Sequence, residues 1–253
     1  MFQPEELHKT GGTKKDMYVV VNYGLTSRSG SYSTYLKFNH SSERVNPVDL
    51  SLLTRNYTAQ DGDILTGKAP ANVGITISPG ATVTLSDANI TQIPNDTDHK
   101  YAGITCPGNA TLILSGDNAV KGGHSYYPGV YIAQGFTLTI KGTGSLAVQS
   151  NNGFGAGIGA GVDRHCGNIT IDSGTINIPT MRQGTAIGAA TRASCGNITI
   201  NSGNITVSGG TGSAGSGTTG STGGENSPGL GTGAAGRCGD ITIANTVTRV
   251  TAA

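Results

Sequence analysis

The sequence predicts an all-β protein: a right-handed parallel β-helix, a solenoid of about 26–29 residues per coil, with a small N-terminal β cap. Three observations carry the prediction. Cys166-Gly-Asn-Ile-Thr-Ile, Cys195-Gly-Asn-Ile-Thr-Ile and Cys238-Gly-Asp-Ile-Thr-Ile align without gaps. Each follows a second shared element, Ala156-Gly-Ile-Gly-Ala-Gly, Thr185-Ala-Ile-Gly-Ala-Ala and Pro228-Gly-Leu-Gly-Thr-Gly, and looser copies lie upstream at Val73-Gly-Ile-Thr-Ile, Ala102-Gly-Ile-Thr-Cys and Pro128-Gly-Val-Tyr-Ile. The shared glycine, replaced by alanine at 186, falls at positions 74, 103, 129, 157, 186 and 229, a spacing of 26–29 residues until the last step of 43. A repeat in the twenties is the mark of a stacked architecture.

Within a copy the pattern has period 2: Ile169 and Ile171 point one way, Thr170 and Asp172 the other. Ile, Val and Thr favour pleated strands, and Ser-Gly, Pro-Gly and Gly-Asn pairs supply turns. Three short strands and three turns use up one repeat, and parallel crossovers are right-handed. A leucine-rich repeat would need helical periodicity or its asparagine-bearing leucine consensus, and the sequence has neither.

Taken in order, residues 1–60 form a cap and linker. Met17–Tyr23 and Ser31–Phe38 read as a β-hairpin joined by a Ser/Gly turn, and Val48–Tyr57 as a helical turn or cap that covers an open coil end. Residues 61–253 form the coils. The surplus of the last step falls in Gly209–Gly224, a Gly/Ser/Thr-rich loop insertion with too few apolar groups to fold by itself. Residues one repeat apart lie over each other about 4.8 Å apart. Cys166, Cys195 and Cys238 therefore form one column, Ile158, Ile187 and Leu230 another, and Asn168, Asn197 and Asp240 a third at a turn. The cysteines read as small buried hydrophobes. No C-x-x-C pair marks a zinc or redox site, so neither a metal nor a cofactor is expected.

Composition excludes several classes of function. Sixteen basic and fifteen acidic residues leave a net charge of +1, too weak a field to gather nucleic acid. No apolar run approaches the roughly 20 residues of a membrane span. Forty-one glycines rule out long helices without the strict Gly period of collagen. The N-terminus, Met1-Phe-Gln-Pro-Glu-Glu-Leu, lacks a signal-peptide layout.

The run Asp49–Gly67, followed by Tyr101-Ala-Gly-Ile-Thr-Cys106 and the Gly-Ala-Gly-Ile-Gly…Cys-Gly-Asn-Ile-Thr-Ile units, resembles repeat-bearing proteins of gut Bacteroidetes. These are described as carbohydrate-binding-domain or pectate-lyase-like β-helix proteins. The likeness spans roughly residues 49–253. It implies a secreted or cell-surface protein that handles glycans, and it brings no catalytic signature with it.

A β-helix fills its interior, so chemistry belongs on an outer face or on the turns. The least repetitive segment of each coil precedes the Ala-Gly-Ile element: Asp98-His99-Lys100-Tyr101, His124-Ser125-Tyr126-Tyr127, Asn151–Phe154 and Met181-Arg182-Gln183. Aligned along one edge, these place aromatic rings beside amide and guanidinium donors, the combination that suits sugar rings. The ligand-binding candidates are His99, Lys100, Tyr101, His124, Tyr126, Tyr127, Arg182 and Gln183; closure of the sheet edge is the other use for such rings. A second group, Asp163, His165 and Arg192, predicts a cross-coil Asp163–Arg192 ion pair that either holds an acidic sugar, assists proton transfer, or is a plain surface salt bridge. Beyond residue 64, Asp96 with Asp98 is the one close acid pair, where a glycosidase needs two carboxyls around a bond. Gly231-Thr-Gly-Ala-Ala-Gly236 matches a dinucleotide fingerprint but precedes a strand, so it is rejected. Three functions meet the sequence: non-catalytic polysaccharide binding or surface adhesion, a glycoside hydrolase or polysaccharide lyase using Asp163, His165 and Arg192 or Asp96 and Asp98, and a structural spacer of an adhesin or spike.

Overall fold

The computed structural model describes residues 17–24, 31–38, 46–179, 184–209 and 228–252. The chain divides into two compact units, residues 1–43 and 44–253. In the first, Met17–Gly24 pairs antiparallel with Ser31–Phe38, in register from Met17 opposite Phe38 to Gly24 opposite Ser31.

The second unit is all-β, and its strands pair in parallel with the strand one repeat away. Seven three-residue strands build one sheet: Tyr57–Ala59, Ile75–Ile77, Ile104–Cys106, Val130–Ile132, Ile158–Ala160, Ile187–Ala189 and Leu230–Thr232. The other two strands of each repeat share a second, larger sheet. They join because Thr82–Ile90 runs unbroken through a corner, its first half pairing with Ala110–Ser115 and its last residues with Asp117–Lys121. After that corner the sheet continues in two arms. One runs through Thr137–Gly142, Asn168–Ile171, Ile198–Ile200 and Ile241–Ile243, the other through Ser145–Gln149, Thr175–Ile178, Asn204–Val207 and Arg249–Ala252.

The registers are those the repeat implies. Ile158 lies beside Ile187 and Ile187 beside Leu230. Inward residues on both arms are closed off from solvent: Leu138, Ile169 and Ile198 on one and Leu146, Ile176 and Ile205 on the other are each 0% exposed. Burial of one such aliphatic side chain stabilises by about 1.5–3 kcal/mol, so each added repeat extends one continuous core. The Asn column is a hydrogen-bonded ladder. Asn168 Oδ1 accepts the Asn197 N–H at 2.8 Å and Asn197 Oδ1 accepts the Asp240 N–H at 3.0 Å, occupying turn donors that no sheet neighbour reaches.

Parallel stacking starts earlier than the 60/61 boundary. Asn46–Asp49 pairs with Asp63–Lys68, and Tyr57–Ala59 with Ile75–Ile77. Between them Leu50–Leu52 makes a 3₁₀ turn capped by Asp49, whose carboxylate accepts the Ser51 N–H at 2.9 Å, and Leu50 is 0% exposed. Buried Asp63 closes this first repeat by accepting from the Tyr57 hydroxyl at 2.8 Å, the Gln60 N–H at 2.8 Å and the Asn46 amide at 3.1 Å. The physical reason is burial: Leu50 and Ala59 reach the core only if this stretch lies on the stack.

At the centres of the short strands the outward side chain changes along the stack. Thr58, Thr76 and Thr105 give way to Tyr131, then to Gly159, Gly188 and Gly231. Gly159 and Gly188 hold φ of 133° and 131°, and a Cβ on either would sit within 2 Å of the next glycine's carbonyl oxygen. Only glycine allows that approach. The Gly/Ser/Thr-rich loop insertion lies outside the described residues from 210 to 227.

Candidate functional site

The turn segments and Tyr131 meet in an open cavity of about 220 Å³ lined by Lys100, Tyr101, Thr105, Tyr127, Tyr131 and Arg164, with Ala102 and Pro128. Each ring is held for a local reason. Tyr101 packs against Gly74, where a Cβ would come within 2.8 Å of the ring, and its hydroxyl donates to the Asn72 carbonyl at 2.7 Å. Tyr127 ends the tight turn that His124 begins, its N–H donating to the His124 carbonyl at 2.9 Å. Tyr131 stands at the centre of its strand on the outward face, beside Thr105, and donates its hydroxyl to the His165 carbonyl at 3.0 Å. Arg164 lies over the Tyr127 ring with its guanidinium carbon 4.4 Å from the ring centre, and it also donates to the Tyr127 hydroxyl. A cation over a ring face is an attractive arrangement, and it fixes both side chains while leaving guanidinium N–H groups for a ligand.

Burial raises the Tyr101 phenol, with Asp96 acting in the same direction, and burial raises Tyr131 with a contribution from Cys166 that Arg164 offsets. Both hydroxyls are therefore neutral donors at physiological pH. The lining residues carry two cations, Lys100 and Arg164, and no carboxylate. At about 220 Å³ the cavity falls below the roughly 300–1,000 Å³ of drug-sized sites, so it takes one ring-sized group and leaves the rest of a larger ligand outside.

The aromatic edge divides in two. Tyr101 and Tyr127 line the cavity with Lys100. Tyr126, 50% exposed, packs edge-on to Phe154 at 5.7 Å and tilts against His124 at 5.2 Å, outside the cavity lining. His124 also meets Tyr127 edge-on at 6.2 Å. His99 turns its edge to Tyr101 at 5.8 Å and joins Asp96 through Nδ1 at 2.6 Å. Arg182 and Gln183 lie outside the described residues.

The acidic candidates are occupied by structure. One oxygen of Asp96 accepts the Asp98 N–H at 2.9 Å, the His99 N–H at 3.1 Å and the His99 ring, which lowers its pKa. That is a turn cap, and the main chain of Asp98 is one of its donors. Asp163 makes the cross-repeat ion pair: Arg192 grips both carboxylate oxygens at 2.6 and 2.7 Å and holds the acid below its ordinary range. Both side chains stand in solvent, at 58% and 60% exposure, where such pairs contribute little. His165 is not part of this pair. Its Nδ1 meets the Ser194 hydroxyl at 2.7 Å, while the acid two residues before it faces Arg192.

Sequence reasoning missed Tyr131 and Arg164. Tyr131 was legible as the one aromatic in a column of Thr and Gly, and Arg164 as the middle residue of the Asp163–His165 run. No family model, curated protein or solved structure matches the chain.

Proposed function

We propose that residues 46–252 form a right-handed parallel β-helix that binds a glycan without cleaving it, in a secreted or cell-surface setting, as the resemblance to gut Bacteroidetes repeat proteins implies. The carrying observation is the cavity itself: three tyrosine rings, one of them stacked under a guanidinium, surround a space for a single ring. Sugars offer C–H faces to aromatics and hydroxyl edges to donors. Lys100 and Arg164 favour a sugar that carries a carboxylate or sulfate, because two cations face the space with no acid among them. The parallel, one-repeat pairing of every strand in the second unit supports the β-helix reading. A non-catalytic role is supported by the engagement of Asp96 and Asp163 in a turn cap and an ion pair.

The test is calorimetry on a polysaccharide panel containing neutral and acidic chains. Wild type binds acidic chains best. Tyr127→Ala and Tyr131→Ala each weaken binding at least tenfold, about 1.4 kcal/mol, whereas Tyr126→Ala, outside the cavity, leaves it unchanged. Absence of binding across the panel, or equal binding by Tyr127→Ala, overturns the proposal. Release of reducing ends or unsaturated products would replace binding with catalysis.

A further inference from the structure

The geometry points to a second chemically competent place, in the cysteine column: we infer that Cys195 and Cys238 are a disulfide-forming pair that clamps the repeat ending at Ala252 to the one before it. The two sulfurs lie 2.8 Å apart, although 43 positions separate them in sequence. The backbone around them is already joined. The Cys195 N–H donates to the Arg237 carbonyl at 2.9 Å, Ser194 bridges Arg237 in parallel, and Ile198 pairs with Ile241. Parallel neighbours lie about 4.8 Å apart, inside the roughly 4.4–6.8 Å Cα window of disulfides. Closing the sulfur gap to the bonded length of about 2.05 Å then requires side-chain rotation only.

The other two cysteines are placed differently. Cys106 is 0% exposed and its thiol is pushed up to about 12 by burial. Cys166 is 3% exposed and directs its sulfur at the Gly188 carbonyl, 3.8 Å away. Cys238 is the more accessible partner, half-buried against 8% exposure for Cys195. It is the entry point for an oxidant, here a low-molecular-weight disulfide. Cys238 loses its proton to solvent and attacks one sulfur of the small disulfide, forming a mixed disulfide and releasing one thiolate. Cys195, deprotonated in turn, attacks the Cys238 sulfur and displaces the second thiolate. Two protein thiols become one disulfide, the small disulfide becomes two thiols, and the released protons are taken up by the leaving thiolates. Contact with Cys166 raises the Cys195 thiol to about 12 despite an opposing effect of Cys238, and contact with Cys195 raises Cys238. The exchange is therefore slow at neutral pH and faster in alkali.

The bond would close a loop around residues 196–237, which include the Gly/Ser/Thr-rich segment, and would secure a repeat whose Ile241 and Ile243 are 43% and 46% exposed.

The test starts from the fully reduced 253-residue chain. After incubation with oxidised glutathione, alkylation of the denatured protein labels two thiols of the original four, and a non-reducing digest contains one cross-linked peptide pair bearing Cys195 and Cys238. Cys166→Ser gives the same cross-link, and Cys238→Ser gives none. Oxidised wild type melts several degrees higher than reduced wild type, a shift absent in Cys238→Ser. Retention of four thiols, a Cys166–Cys195 cross-link, or cross-links only between molecules overturns the inference. The digest of wild type alone decides the pairing even where a variant fails to fold.

Discussion

The hydroxyls of Tyr101 and Tyr131 each donate to a main-chain carbonyl inside the cavity wall, and burial holds both phenols above their usual range. The consequence for pH has a definite sign. A group whose pKa rises on folding stabilises the fold below its unfolded value, near 10 for tyrosine, and that stabilisation is lost as pH rises through the folded value. Titration of tyrosinate absorbance should show part of the nine tyrosines ionising later in the folded chain than in urea. Tyr101→Phe and Tyr131→Phe should each remove some of that late fraction. Superimposable folded and denatured curves would mean that these hydroxyls face free solvent. At this scale the sequence was partly legible. Tyr101, Tyr127 and Lys100 were named from turn segments because those segments break the repeat. Tyr131 was passed over because it sits within a strand signal, where alternation alone does not separate an outward Thr from an outward Tyr. Arg164 is masked in the sequence by its neighbours Asp163 and His165, whose chemistry is more familiar, although Asp163 faces Arg192.

Among elements, the asparagine ladder links consecutive turns through acceptor oxygens. Asn168 Oδ1 takes the Asn197 N–H, and the same oxygen lies where a Cβ on Gly196 would stand, 2.3 Å away, so this turn has room only for glycine. What the ladder needs is an oxygen, as Asp61 shows by accepting the Thr82 N–H at 2.8 Å in an earlier turn. Asn168→Asp should therefore leave stability nearly unchanged, while Asn168→Ala should cost about 0.5–1.5 kcal/mol, the net worth of a hydrogen bond. Urea midpoints measure both. Equal losses for Asp and Ala would show that the amide N–H₂ group, not the oxygen, holds the turn. The identities of these columns were readable directly, because gap-free alignment fixes register once the strands are parallel. The corner was not readable: three strands per repeat predict three separate sheets, and nothing in Thr82–Ile90 announces a strand long enough to merge two of them.

Across the whole second unit, one-repeat parallel pairing leads to the expectation that stability is a sum over neighbouring repeats, and one pair of equivalent residues isolates that property. Ile198 and Ile241 occupy the same register on adjacent strands. Ile198 is 0% exposed because described repeats lie on both sides of it, whereas Ile241 is 43% exposed with a described repeat on one side only. The side chains are chemically identical, so the difference in burial comes from position in the stack. Periodicity reveals the stack but not its ends, which is why the boundary at 60/61 gave way to pairing from Asn46. Ile198→Ala removes atoms closely surrounded by neighbours and should cost about 2–5 kcal/mol. Ile241→Ala removes atoms already half in water and should cost well under half as much. Hydrogen exchange separates the two further: Ile198→Ala should raise exchange rates in repeats on both sides of residue 198, and Ile241→Ala only in residues 228–252. Equal destabilisation by the two substitutions, or exchange effects that ignore repeat order, would mean that the unit unfolds as one globule and that neighbour-to-neighbour packing does not set its stability.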